Sequence, residues 1–241
     1  MDVNPASERL AELPARVICV LGMHRSGTSC LTGSLQEAGL FLGDCHTWNP
    51  HNLKGNRENQ NFVDLHDDIL KENGGAWDAP PATVNWSEKH YQWALELLRD
   101  NATMPVFGFK DPRALLVLEG WKTVFPDIEF VGIFRHPNEV VRSLAKRGAI
   151  EREKALHLWY TYNRVLYREY KRKSFPLLCF DDDEAVLQDK ISGVAAQLEL
   201  LTSQEAQNFY STELRTTRNT QQQTVPWKVR LLHRKLKKKS L

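Results

Sequence analysis

The segment "VICVLGMHRSGTSCLTGSLQEAGL", residues 17–40, decides the predicted fold, because it has the pattern of a buried strand, a glycine-containing loop and a helix in succession. Gly22 and Gly27 keep the spacing of the phosphate-binding pattern GxxxxGK[ST], but Thr28 stands where that pattern has lysine. Glycines let a backbone wrap closely round an anion that faces the first amides of the following helix. The segment therefore predicts a phosphate-binding loop that lacks the usual lysine. The alternative is an ordinary strand-to-helix turn.

Side chains in this loop strengthen the first interpretation. Ser26, Thr28 and Ser29 add hydroxyl donors, and Arg25 adds positive charge from inside the loop. The loop offers no evident arrangement for a magnesium ion. We therefore expect an anion site that works without a metal.

Apolar runs rich in β-branched residues alternate with helical patterns along the rest of the chain. Further strands are predicted at residues 105–110, 128–135 and 175–180, with helical spacing between them. Strands separated by helices predict a three-layer α/β/α fold with a mostly parallel central sheet. Ligands of such sheets bind beyond the carboxyl ends of the strands, so site residues are expected there.

Composition sets the broad class of protein. A chain of 241 residues with 41% hydrophobic residues can bury a substantial core. No run of about 18 apolar residues could span a membrane, and the N-terminus is polar and acidic where a signal peptide would be basic and then apolar. These features predict a cytoplasmic protein. The four cysteines form no CxxC pair and are expected to be thiols.

Charge is distributed unevenly along the chain. Residues 226–241, "PWKVRLLHRKLKKKSL", contain seven Lys or Arg and no acid, which leaves residues 1–225 with 25 bases against 30 acids. We predict a single domain over 1–225 and a basic C-terminal tail over 226–241. In one interpretation the tail contacts anionic lipid at the periphery of a membrane, or a polyanionic acceptor, with Trp227, Leu231 and Leu232 as apolar contacts beside the charge. In the other it is a disordered solubilising terminus. Nucleic acid is not expected as a partner, because the acidic body has no basic stripe.

A second candidate phosphate site follows the strand at 128–135, in "FRHPNEVVRSL". Arg135 leaves the carboxyl end of the strand, and Ser143 lies eight positions on in the next predicted helix. Guanidinium and hydroxyl could hold a phosphate between them. Two phosphate sites at neighbouring strand ends suit a ligand with phosphates at opposite ends of a nucleoside. Alternatively, Arg135 pairs with Glu139, and Ser143 bonds back to its own helix.

The loop "RSGTS" and the segment "RHPNEVVRSL" together resemble the 5′-phosphosulfate loop and 3′-phosphate motif of sulfotransferases that use 3′-phosphoadenosine 5′-phosphosulfate (PAPS). The chain is similar to a bacterial group of that family through six segments spread over residues 17–218: "LGMHRSGTSCL", "GNRENQNFVDLHDDIL", "FKDPR", "RHPNEVVRSL", "LWYTYNRVL" and "LRTTR". In PAPS the sulfuryl group is bound to a single phosphate, so no metal has to bridge β- and γ-phosphates. The lysine of the ATPase pattern and a metal-binding acid are therefore not needed. Arg25 fills the position that a lysine occupies in cytosolic relatives.

The resemblance implies in-line transfer of a sulfuryl group from PAPS to an acceptor hydroxyl, on a carbohydrate or glycolipid, without a metal. Arg25 and the helix amides would stabilise the 5′-phosphate, whereas Arg135 and Ser143 would anchor the 3′-phosphate. Arg218 in "LRTTR" is a further donor-site candidate. The donor loop would comprise Gly22, Arg25, Ser26, Gly27, Thr28 and Ser29.

A base must take the acceptor's proton. The resemblance points to Glu58, in a segment where the bacterial pattern places a glutamate at the start of a helix. Glu58 could instead be a plain carboxylate at a helix N-terminus. His24, His51 and His66 are rival bases, of which His24 is favoured by its place in the loop.

The segment "FGFKDPR" is a third cluster at a predicted strand end. Lys110 could contact the transferring sulfonate or the acceptor, and Asp111 and Arg113 are expected to form a supporting pair. Two other functions stay open. A P-loop kinase would need the missing lysine and a metal-binding acid, and a non-catalytic nucleotide-binding or partner-binding protein would keep only the fold. The sequence gives neither the acceptor nor the oligomeric state.

Overall fold

A sheet of four parallel strands forms the centre of the protein. The computed structural model describes residues 13–46, 55–148, 150–200 and 223–241. Within these ranges the strands are β1 (Arg16–Leu21), β2 (Val106–Lys110), β3 (Glu129–Phe134) and β4 (Leu177–Cys179). Their order in the sheet is β2-β1-β3-β4, and every pair is parallel. The predicted parallel α/β fold is confirmed.

Eight helices accompany the strands in the described ranges. They are α1 (Thr28–Glu37), α2 (Gln60–Glu72), α3 (Glu88–Arg99), α4 (Ala114–Val124), α5 (Pro137–Gly148), α6 (Arg152–Arg172), α7 (Glu184–Gln197) and α8 (Trp227–Lys237). Two local signals account for helix starts. Ser87 is the N-cap of α3, where the His90 ring accepts a hydrogen bond from the Ser87 backbone N–H at 3.1 Å. Pro137 opens α5, a position where its missing N–H costs nothing.

Side-chain alternation along β1 builds the two cores of the three-layer fold. Val17, Cys19 and Leu21 pack into a core with α2, α3, α4, α5, α6 and α8, whereas Ile18 and Val20 point to the other face of the sheet. On that second face α1 and α7 supply the partners. All five side chains have no exposed surface, as expected for a strand covered on both faces.

The basic C-terminal segment is part of the folded protein. Val229, Leu232 and Leu236 lie on one face of α8 and are buried in the first core, where α8 packs against α6. The backbone N–H of Leu241 donates to the Leu177 carbonyl of β4 at 2.9 Å. The alternative of a disordered terminus is therefore wrong for residues 226–241.

None of the helices that the structure describes is long and apolar enough to cross a bilayer. All four cysteines lie in the described ranges and are thiols, as the sequence predicts.

Candidate active site

Three of the predicted segments meet at the carboxyl edge of the sheet. Val20 is in register with Lys110 on β2, and Leu21 is in register with Gly132 on β3. The loop that follows Leu21 is therefore flanked by the residues that follow β2 on one side and β3 on the other. This adjacency is what a parallel sheet needs to assemble a ligand site from separate stretches of chain.

The loop after β1 has a left-handed backbone at Arg25 and at Gly27. Gly27 has φ 91°, and a Cβ there would lie 2.2 Å from the Phe180 ring. Arg25 has φ 66°, a left-handed conformation that costs a non-glycine residue on the order of 1–3 kcal/mol. The loop leads into α1 at Thr28, so the first amides of that helix face its concavity. Ser26 Oγ is buried and has no hydrogen-bond partner among the described residues, which is the state of a hydroxyl that a ligand would satisfy.

The loop is joined directly to the second candidate phosphate segment. Arg25 Nε donates to Ser143 Oγ at 2.7 Å, across 118 residues of sequence. Ser143 is 5% exposed, in α5. The alternative in which the Ser143 hydroxyl only bonds back to its own helix is therefore incomplete, since its oxygen accepts a hydrogen bond from Arg25.

Arg135 lies in a buried acidic and aromatic surrounding. Its side chain is 9% exposed, and its guanidinium lies 3.5 Å from Asp181 Oδ1 and 3.8 Å from Glu139 Oε2. The guanidinium carbon lies 5.1 Å from the centre of the Phe180 ring. Arg135 Nε makes no hydrogen bond with any described residue. The alternative in which Arg135 pairs with Glu139 is thus present only as a long contact. The Arg135 guanidinium can still donate hydrogen bonds to another anion.

Glu58 and Lys110 form the polar centre beside the loop. Lys110 is 1% exposed at the end of β2, and its Nζ lies 2.7 Å from Glu58 Oε1 and 3.4 Å from Ser29 Oγ. Glu58 stands immediately before Asn59, the N-cap of α2, and its side chain is 16% exposed. Ser29 Oγ in turn donates to the Asn56 carbonyl at 3.0 Å. A carboxylate, an ammonium and a hydroxyl thus converge where α1 begins.

A buried hydrogen-bonded chain surrounds Asp111, the residue after Lys110. Trp121 Nε1 can only donate, so it fixes His66 Nε2 as an acceptor at 2.8 Å, and His66 Nδ1–H then donates to Asp111 Oδ2 at 2.7 Å. Asp111 Oδ1 accepts from Arg113 at 2.9 Å, which confirms the predicted pair. Burial alone would raise the pKa of Asp111, but the hydrogen bond from His66 and the Arg113 charge hold that pKa well below its usual range. Both ring nitrogens of His66 are engaged away from solvent, so its candidacy as the base is not supported.

His24 lies in the loop, against two aromatic side chains. Its ring centre is 4.5 Å from that of Trp77 and 6.0 Å from that of Tyr162. The Tyr162 hydroxyl donates to the Trp77 carbonyl at 2.7 Å and so fixes the 73–86 loop beside His24. His24 as a base stays a prediction.

Two of the residues missed by sequence reasoning follow β4. Phe180 contacts both Gly27 and Arg135, and Asp181 contacts Arg135 and accepts from the His136 backbone N–H at 2.5 Å. The signal was present in the sequence, because Asp181 is the first polar residue after the predicted strand at 175–180.

Two predicted site residues, His51 and Arg218, lie outside the described residues. The described ranges contain one group that could hold a metal ion, Asp68, Glu72 and His90, whose ligand atoms lie within 4.8 Å of one another. That group joins α2 to α3, and Lys89 Nζ already lies 2.6 Å from Asp68 Oδ2. It therefore belongs to a helix–helix contact and is separate from the residues after β1 and β3.

Two solved structures of sulfotransferases share this fold. The sulfotransferase domain from the olefin synthase of Synechococcus PCC 7002 matches with a TM-score of 0.60 and 16% identity, over 92% of this chain and 94% of that chain. Sulfotransferase STF1 from Mycobacterium tuberculosis H37Rv matches with a TM-score of 0.51 and 14% identity, over 95% of this chain and 78% of that chain. No protein-family model and no curated protein sequence matches the chain. The chain therefore has the α/β fold of sulfotransferases.

Proposed function

We propose that this protein is a sulfotransferase that transfers the sulfuryl group of PAPS to an acceptor hydroxyl, on a carbohydrate or glycolipid. The observation that carries the proposal is the hydrogen bond from Arg25 Nε to Ser143 Oγ. It joins the two segments that the family resemblance assigns to the 5′- and 3′-phosphates, although they are far apart in sequence. The sulfotransferase fold of the chain supports the same conclusion. We also propose that the protein is located in the cytoplasm, as the sequence predicts.

The donor would be held by groups whose bonding capacity the protein leaves unused. Ser26 Oγ and Arg135 Nε are buried polar atoms without hydrogen-bond partners among the described residues. A nucleotide with a 5′-phosphate against the loop and a 3′-phosphate against Arg135 would satisfy both. Asp181 and Glu139 contact Arg135 only at 3.5 and 3.8 Å, so a doubly charged phosphate can compete with them. The residues present therefore fit this donor.

Glu58 is the proposed base. PAPS supplies the sulfuryl group, and the leaving group is 3′-phosphoadenosine 5′-phosphate. The acceptor oxygen forms a bond to sulfur as the bond between sulfur and the phosphate oxygen breaks, and Glu58 takes the hydroxyl proton. Lys110 aligns the Glu58 carboxylate and, through Ser29, ties it to the loop. Arg25 and the first amides of α1 neutralise charge that develops on the departing phosphate.

Binding of the product nucleotide tests the donor site. We would titrate the purified protein with 3′-phosphoadenosine 5′-phosphate, ATP and AMP by calorimetry, with and without magnesium. We expect selective binding of the bisphosphate that does not depend on magnesium. Arg135→Ala and Ser143→Ala should each weaken it at least about tenfold, since each loses a charge-assisted contact. Arg164→Ala and Ser192→Ala, which alter exposed residues on α6 and α7, are the matched controls.

Either of two results would contradict the proposal. One is tighter binding of ATP with magnesium, which would favour a kinase. The other is no nucleotide binding by a protein with native circular dichroism, which would favour a non-catalytic role. Transfer of label from PAPS to a panel of sugar and glycolipid hydroxyls then tests the acceptor class.

A further inference from the structure

Helix α8 presents two different faces. Its inner face, with Val229, Leu232 and Leu236, is buried. Its outer face consists of Trp227, Leu231, Arg234 and Lys238, with Arg230 and Lys235 beside it. The spacings of four, three and four residues place the first four side chains in a single stripe. Trp227 is 63% exposed and Leu231 is 44% exposed, unusual values for large apolar side chains in a folded protein.

We propose that the outer face of α8 docks on the surface of an anionic lipid bilayer. Lys and Arg side chains are attracted to anionic headgroups, and tryptophan and leucine insert at the boundary between headgroups and acyl chains. The segment from Pro226 to Leu241 contains no acidic residue that would oppose this attraction. A helix that lies in the plane of the interface needs this combination of cations and apolar side chains on one side.

The two exposed apolar residues favour lipid over a soluble polyanion. A polyanion needs only the positive charges, whereas Trp227 and Leu231 gain from transfer out of water. Lys228 Nζ lies 5.7 Å from the centre of the Trp227 ring, so its ammonium can stay among headgroups while the ring enters the interface. Leu241, 53% exposed, adds an apolar residue at the far end of the segment.

The docking face is preorganised. Its helix is fixed to the body by the inner face, by the bond from Leu241 N–H to the Leu177 carbonyl and by Lys237, whose Nζ lies 2.5 Å from Asp182 Oδ1. A disordered basic tail would have to lose conformational entropy on the membrane, whereas this helix has already lost it on folding. Lys237 points to the body, which leaves the outer face to the other cations.

The position of α8 relates the docking face to the candidate active site. The His233 ring lies 4.8 Å from that of His136, the residue next to Arg135. Just before α8, the Gln223 carbonyl accepts a hydrogen bond from Asn138 Nδ2 at 2.7 Å. The start of α8 therefore lies near the segment that contains Arg135 and Asn138. The docking proposal does not rest on the proposed function.

Vesicle co-sedimentation tests the proposal. The full chain is mixed with vesicles of phosphatidylglycerol and phosphatidylcholine in equal parts, or of phosphatidylcholine alone. We expect binding to the anionic vesicles that falls as salt is raised. Trp227→Ala with Leu231→Ala should reduce partitioning about tenfold or more. Arg234→Glu should reduce it by a similar factor, because reversal removes one attraction and adds one repulsion.

The controls distinguish lipid docking from general charge attraction. Lys71→Glu makes the same change of net charge on the exposed surface of α2 and should leave partitioning unchanged. Equal loss with Lys71→Glu, or full binding by the Trp227/Leu231 double variant, would overturn the proposal in favour of a non-specific or polyanion-binding surface. No binding by the unchanged protein at low salt would overturn it as well. The readout needs no donor, so it separates this proposal from the proposed function.

Discussion

Lys110 Nζ lies 2.7 Å from Glu58 Oε1, and the two residues come from the end of β2 and the start of α2. Removing both charges from water is expensive, and an ion pair of this kind contributes little to stability by itself. The ion pair lies beside Ser29 at the start of α1, and this position indicates a role in the site instead of in stability. The pair holds a carboxylate, the proposed base, in one orientation next to the proposed donor loop.

Glu58→Gln should abolish proton transfer while it leaves the donor site intact. Glutamine has nearly the same shape and can still contact Lys110, but its amide does not accept the acceptor's proton. We expect kcat to fall by about 10²- to 10⁴-fold. Calorimetry with 3′-phosphoadenosine 5′-phosphate should show unchanged affinity. A variant that retains near-full transfer would remove Glu58 from the mechanism and return His24 to consideration.

Lys110→Met should act largely through Glu58. Methionine matches the length of the aliphatic stem but leaves the carboxylate without its partner in a site of low exposure. We expect a loss of stability of about 1–3 kcal/mol, seen as a lower midpoint of thermal or denaturant unfolding. In the Glu58→Gln background the same substitution should cost less, because no charge is left unpaired. A double-mutant cycle measures this coupling, and additive losses would show that the two side chains act independently.

Gly27→Ala tests the shape of the loop. Alanine is strained at φ 91°, and its Cβ would overlap the buried ring of Phe180. Gly74→Ala is a matched control, since Gly74 has φ 73° and no atom within 4 Å of the added Cβ. We expect Gly27→Ala to lose about 2–4 kcal/mol of unfolding free energy and most nucleotide affinity, and Gly74→Ala to lose about 1 kcal/mol and no affinity. Equal losses would mean that the contact with Phe180 has no role.

Periodicity and local signals predicted the strands and helices of the fold, but they could not predict which strands are neighbours in the sheet. The continuous apolar run Val17–Leu21 is a local feature, so a buried strand could be predicted from it. The contacts of Phe180 with Gly27 and Arg135 depend on the order β2-β1-β3-β4, which places β4 beside β3. No pattern within a single segment contains that order.

The candidate site shows the same division. Arg25, Glu58 and Lys110 were named from motifs that resemble a family, whereas the hydrogen bonds from Arg25 to Ser143 and from Lys110 to Glu58 became visible only with the fold. For the C-terminal segment the sequence left two alternatives open. Val229, Leu232 and Leu236 have helical spacing, but only the fold shows the core that buries them.

Stability should depend on pH through His233, which joins α8 to the end of β3. Burial, followed by the positive charges of His136 and Lys237, lowers the pKa of His233 to about 4. Between its usual value and about 4 the unfolded chain binds a proton that the folded chain does not, so stability falls as the pH falls through this window. Burial lowers the pKa of His136 as well, which adds to the effect in the same direction.

We expect His233→Gln to flatten this pH dependence. After allowance for partial exposure, the His233 contribution should be about 1–2 kcal/mol between pH 7 and pH 5, measured by denaturant unfolding at each pH. His157→Gln changes an exposed histidine on α6 and should leave the slope of stability against pH as it is. The ring of His233 contacts those of Phe134, His136 and Trp159. The stability lost at low pH is therefore that of the packing of α8 against the end of β3 and against α6. An unchanged slope in His233→Gln would mean that the histidine is hydrated in the folded protein and that α8 is held by its apolar face alone.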